Sequence, residues 1–204
     1  MTYIEILNRS IPVEWLAVIF ALFVTAGLYQ IATKKKVGHW YWNGFLIYIL
    51  IWKLSYILFN LKVSLTSPVS ILYFHGGARG HILAIIVLSI YLLIVARKNS
   101  DLFDNHSTMV FILFFLVYEA CLQFFANGWF ALLVQFIGLT GIYLFFLSRV
   151  KKKKPISLQI YLFLILLEFL IISLFQPLIS LDTITFTWLT VFFIIISNKK
   201  EVMS

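Results

Sequence analysis

Seven apolar runs fix what this chain can become: residues 13–32, 40–60, 80–96, 108–126, 129–148, 156–176 and 181–197. About twenty apolar residues in helical form cross the hydrocarbon core of a bilayer. The chain is 62% hydrophobic and only 12% charged, where a soluble domain carries about 25% charged residues. The runs therefore predict an all-α integral membrane protein, one polytopic domain over residues 1–204 with seven transmembrane helices. Residues 1–12 lack a basic start, and no small-residue cleavage site follows a short apolar core, so no cleavable signal peptide is expected. Cys121 is the one cysteine, which excludes an internal disulfide.

The net charge of +8 follows membrane topology rather than nucleic-acid binding. Lys34, Lys35 and Lys36 follow the first run, and Arg97 and Lys98 the third. Arg149 and Lys151, Lys152, Lys153 and Lys154 follow the fifth, and Lys199 and Lys200 the seventh. These twelve basic residues fall on one side of the membrane. Arg9, Lys62 and Arg79 fall on the other. The positive-inside rule then puts the N-terminus outside and the C-terminus in the cytoplasm.

The loop 61–79 is itself apolar, broken by Pro68 and ending in His75-Gly76-Gly77-Ala78-Arg79-Gly80. Irregular backbone at membrane depth must be enclosed by protein or line a watery cavity. The loop is accordingly expected to form a re-entrant or interfacial hairpin before the third helix, with His75 at its polar tip.

Ionisable residues inside spans are costly and mark functional positions. Lys53, Glu119 and Glu168 lie well inside, all in the outer half on this topology. Glu14, at the outer end of the first run, is expected to meet water. Lys53, Tyr56 and Asn60 share a helix face by their spacing of three and four, as do Glu119, Gln123 and Asn127. Glu168 and Gln176 lie eight apart. These stripes are expected to turn inward and, with His75 and Arg79, to line a cavity open to the outside. Two readings of Lys53 stand side by side. It either forms a structural ion pair with Glu119, Glu168 or both, or meets a ligand. His75 and His81, six apart with no carboxylate near in sequence, make a poor metal site; no metal or other cofactor is expected. Gly138 and Gly141 read as close-packing positions.

The run Phe74-His75-Gly76-Gly77, following an outer loop and opening a helix that ends in Ala96-Arg97-Lys98, resembles the bacterial prolipoprotein diacylglyceryl transferase family. Trp52-Lys53-Leu54-Ser55-Tyr56-Ile57-Leu58-Phe59 is similar to that family's Gly-Arg-x-Gly-Tyr-x-Leu-Phe segment. Asn127-Gly128 resembles the end of its Asn-Phe-x-Asn-Gly signature, and Gln176-Pro177 the close of its penultimate span. The chain departs from the family where signature arginines fall on Cys121 and near Glu168, where an asparagine falls on Phe124, and where Trp15-Leu16-Ala17 replaces Trp-Tyr-Gly. The periplasmic head that follows Asn-Gly in the family has no counterpart.

The resemblance implies transfer of diacylglycerol from phosphatidylglycerol to the cysteine thiol of a lipoprotein precursor. On that reading His75, Lys53 and Tyr56 are catalytic: His75 is the base, Lys53 and Arg79 hold phosphate, and Tyr56 orients the substrate. Gly76, Gly77, Arg79, Glu119, Asn127, Gly128 and Glu168 bind substrate. The implied partners are the phospholipid and the precursor's signal peptide. The missing arginines imply an alternative, a catalytically inactive relative that binds lipid or lipoprotein as a membrane scaffold.

Overall fold

The computed structural model describes residues 3–6, 9–98, 105–126, 128–152, 154 and 156–203. A short antiparallel hairpin opens the chain, β1 (Tyr3–Ile6) with β2 (Arg9–Pro12), Tyr3 opposite Pro12 and Ile6 opposite Arg9. Helices follow: α1 (Val13–Thr33), α2 (His39–Phe59), α3 (Leu61–Thr66), α4 (Ser70–Tyr73), α5 (Gly77–Lys98), α6 (Asn105–Ala126), α7 (Gly128–Lys151), α8 (Leu158–Ser173) and α9 (Leu181–Met203). Among them α1, α2, α5, α6 and α7 are long and apolar enough to cross a membrane. The helix α8 and the apolar part of α9, Leu181–Ile196, are shorter.

The long helices present Phe20, Phe23, Leu54, Leu58, Phe136 and Ile137 on their outsides. Water would penalise such faces, whereas hydrocarbon tolerates them. The fold is that of an α-helical, multi-pass membrane protein.

The chain divides into two compact units. The first comprises Met1–Val37 and Phe103–Phe186, and the second Gly38–Leu102 and Thr187–Ser204. In the first unit α6 is the central element, packed against α1, α7 and α8. Two thirds of its apolar segment is buried, 67%, against 28% or less for the other four long helices. Ala17, Ala21 and Thr25, one helical turn apart, are fully buried on α1, so the α1 backbone can lie close against α6. Phe115 stacks on Phe186 at 4.0 Å between centroids, and Phe111, Phe114 and Tyr118 surround that ring.

The second unit is built on the pair α2 and α5. Its seam runs along one face of each helix. The Tyr91 hydroxyl donates to the Trp40 carbonyl, Leu88 reaches Gly44, and the Tyr48 hydroxyl meets His81 Nδ1 at 2.7 Å. From α9, Trp188 Nε1 donates to Ser89 Oγ at 3.0 Å. Between α2 and α5 the apolar loop folds as two short helices rather than one, and Pro68 separates them, in accord with the missing N–H of proline.

Gly138 lies close to α8, since a Cβ there would stand 3.2 Å from Ile171 Cδ1. At Gly141 nothing lies within 4 Å, so the expectation of close packing holds at the first glycine and is corrected at the second.

Candidate functional site

Phe74, His75 and Gly76 connect α4 to α5, and α2 holds this connection in place. The Gly76 amide donates to the Trp52 carbonyl at 3.1 Å, and Ser55 Oγ donates to the same oxygen at 2.7 Å. Trp52 Nε1 donates to the Gly77 carbonyl at 3.2 Å, while its indole stacks on the His75 ring at 4.3 Å. The Gly80 amide closes back on the Gly76 carbonyl at 2.9 Å. One tryptophan thus grips the turn by its backbone and its ring together.

The glycines here answer two different needs. Gly77 has φ +59°, the left-handed region that side chains rarely enter. At Gly76 a Cβ would fall 1.9 Å from Ser55 Oγ and 2.8 Å from Gly80 Cα, so the backbone approach itself forbids a side chain.

His75 is half-buried, with its orientation fixed on two sides. The Gly77 amide donates to its Nδ1 at 3.0 Å, so the neutral ring carries its proton on Nε2. Burial, and then the nearby Lys53 ammonium, hold the imidazole below the usual histidine range. At neutral pH His75 is therefore an uncharged hydrogen-bond donor at Nε2. Abstracting a proton through Nδ1 would first require release of the Gly77 amide.

The other expected residues of this unit surround the turn. Tyr56 is buried and stacks on Phe74 at 5.6 Å. Asn60 folds back, its Nδ2 donating to the Tyr56 carbonyl at 3.3 Å. Arg79 is exposed in the first turn of α5, where amides lack helical acceptors. The sequence of the second unit has seven Lys and Arg against two acids, Asp101 and Glu201, both outside residues 38–100, so Lys53, Lys62 and Arg79 lie in a cationic unit.

Glu119, Glu168 and Gly128 belong to the first unit. Glu119 is fully buried, and its Oε2 accepts from Gln176 Nε2 at 3.0 Å. Glu168 is buried too, and its Oε1 accepts from Gln135 Nε2. Glutamine amides, one for each carboxylate, are the partners in this unit. Gly128 opens α7 with φ +80° and is exposed. Asn127 lies outside the described residues. Glu14 differs from expectation, because its Oε2 is buried without a hydrogen-bond partner.

Sequence reasoning passed over Trp52, Ser55 and Gln135. Trp52 and Ser55 sit three residues apart and share a face with Tyr56, but that spacing does not say that the face meets the turn. Gln135 falls in an apolar run, and its polarity there was the available signal.

No family model, curated protein or solved structure matches the chain.

Proposed function

We propose that the protein is a seven-span protein of the bacterial inner membrane that binds a phospholipid, phosphatidylglycerol above all, by its phosphate at the His75 turn. On this reading the N-terminus lies outside, and α3 and α4 form an interfacial segment at the outer surface. The observation that carries it is the fixed donor geometry of His75 beside Lys53 in a unit whose sequence has no acid between residues 38 and 100. A neutral Nε2–H donor, an ammonium and the Arg79 guanidinium are groups that favour a phosphate. The exposed apolar faces of α2 and α5 would leave the acyl chains in the bilayer.

The resemblance to the prolipoprotein diacylglyceryl transferases supports a second step on the same site, transfer of the diacylglycerol group to a lipoprotein cysteine. The engagement of Nδ1 by Gly77 favours the other reading, a lipid- or lipoprotein-binding scaffold without transfer. Native mass spectrometry of the protein in nanodiscs tests binding. We expect phosphatidylglycerol to be retained over phosphatidylcholine, and the preference to vanish in Lys53→Met with Arg79→Gln. An unchanged preference would sink the lipid site. Complementation of cells depleted of their own transferase separates the two readings. Rescue by the wild type but not by His75→Ala would establish transfer, and failure of an expressed wild type to rescue would leave the scaffold.

A further inference from the structure

A second polar centre lies in the first unit, where α6 and α8 finish and α1, α7 and α9 begin. We propose that Glu119 and Glu168 bind a small monovalent cation there, a proton or an alkali ion. This goes beyond the lipid site, which is built from other residues.

The carboxylates are 0% and 1% exposed. Each spends one oxygen on a glutamine amide, and each keeps a second oxygen, Oε1 of Glu119 and Oε2 of Glu168, buried with no hydrogen-bond partner. Gln135 is fully buried, donates to Glu168, and keeps its own Oε1 buried and unpartnered. It is not an acid, so it adds independent evidence of an acceptor left over. These three enclosed acceptors can be met by a positive species, with the buried amide nitrogen of Gln123, a turn beyond Glu119 on α6, as the competing donor.

The charge balance points the same way. Glu119 is within electrostatic reach of Glu168 and of Asp182, at the start of α9. Asp182 accepts from the Tyr118 hydroxyl, and both feel Glu14 from the first turn of α1. The unit's Lys34, Lys35, Lys36, Arg149, Lys151, Lys152 and Lys154 follow or close the far ends of α1 and α7. Arg9, on β2, is its basic residue on the near side in sequence. Two enclosed carboxylates repel each other, and each is costly to bury ionised. One cation removes both costs. Oxygen donors of this kind suit hard ions, and two carboxylates supply charge for one small monovalent ion rather than the larger ligand set of a divalent one. Asp182 and Glu14 are half-buried.

Thermal unfolding of the full chain in detergent tests the site. Wild type, Glu119→Gln, Glu168→Gln and Arg9→Gln are compared in sodium, potassium and choline chlorides at constant ionic strength, from mildly acid to mildly alkaline pH. If an alkali ion is bound, the wild-type midpoint rises by several degrees with one alkali ion over choline on the alkaline side. The gain vanishes in acid and in both Glu variants, and survives in Arg9→Gln. If only a proton is bound, the salts are equivalent, and infrared spectra of the wild type show a protonated carboxyl band that both Glu variants diminish. The infrared measurement on the wild type stands even if a variant fails to fold. Equivalent salts without a protonated carboxyl band would overturn the proposal. So would a salt response retained in both Glu variants, or one lost only in Arg9→Gln.

Discussion

His75 sits in a setting that opposes its protonation. An unfolded histidine titrates near pH 6.5, at about the model-peptide value, and the folded one titrates lower because burial and then Lys53 disfavour the charged ring. The folded protein therefore binds fewer protons than the unfolded chain between the two values. Stability from this group is present above about pH 6.5 and is lost as pH falls through that window. His75→Gln should flatten the acid limb of a midpoint-against-pH curve. Lys53→Met, which removes the second cause, should shrink the drop without abolishing it. An acid limb unchanged in His75→Gln would show that other groups set it. Glycine gives a second test at this scale. Val at position 77 must adopt φ +59°, at a cost of about 1–3 kcal/mol. Ala at position 141 meets nothing within 4 Å and should be neutral or stabilising by up to about 1 kcal/mol. Cysteine-accessibility labelling at position 75 should change in Gly77→Val and not in Gly141→Ala.

Between elements, the contact of α2 with the start of α5 depends on Ser55. A Cβ on Gly80 would fall 2.2 Å from Ser55 Oγ, with Ser55 Cβ at 3.4 Å and the Trp52 carbonyl at 3.2 Å. A Cβ on Gly76 would also fall 2.8 Å from the Gly80 Cα. Overpacking of this kind costs about 1–3 kcal/mol. Ser55→Ala should therefore restore most of the thermal stability lost in Gly80→Ala and little of that lost in Gly76→Ala. Equal rescue of both would mean that the backbone approach is softer than it looks. The sequence makes this element scale only partly legible. The apolar runs announce α1, α2, α5, α6 and α7 through length and hydropathy, and Pro68 announces the break between α3 and α4. The pairing of Trp52 with His75 stays hidden, because nothing in a pattern of apolar residues says which helix faces a turn about twenty residues on. The small face Ala17, Ala21 and Thr25 hides for the same reason in a run where small and large residues look equally apolar. The hairpin of β1 and β2 goes unseen because its strands are four residues each, without a glycine to signal the turn.

At the scale of the whole molecule, basic residues follow the ends of α1, α5 and α7, while loop 61–79 carries only Lys62 and Arg79. On the proposed orientation a reporter fused after Ser204 is active only in its cytoplasmic form, and one inserted at Thr66 only in its exported form. A C-terminal reporter active outside would break the seven-span arrangement. The two units also differ in character. Buried acids mark the first, whereas residues 38–100 of the second carry cations and no acid. Substitutions at Glu119 and Lys53 should accordingly report on separate properties, cation response for one and lipid preference for the other.

The helix α8 has 16 residues, which at 1.5 Å per residue reach about 24 Å, short of the ~30 Å hydrocarbon core of a typical bilayer. If α8 spans, the lipids beside it must thin to meet its ends. Glu168, five residues before its C-terminal end, then lies about 8 Å along the helix from that end. Acyl-chain length would thus become a control on the molecule. Short-chain lipids fit α8 and bring the headgroup region towards Glu168, and long-chain or sterol-stiffened membranes work against both.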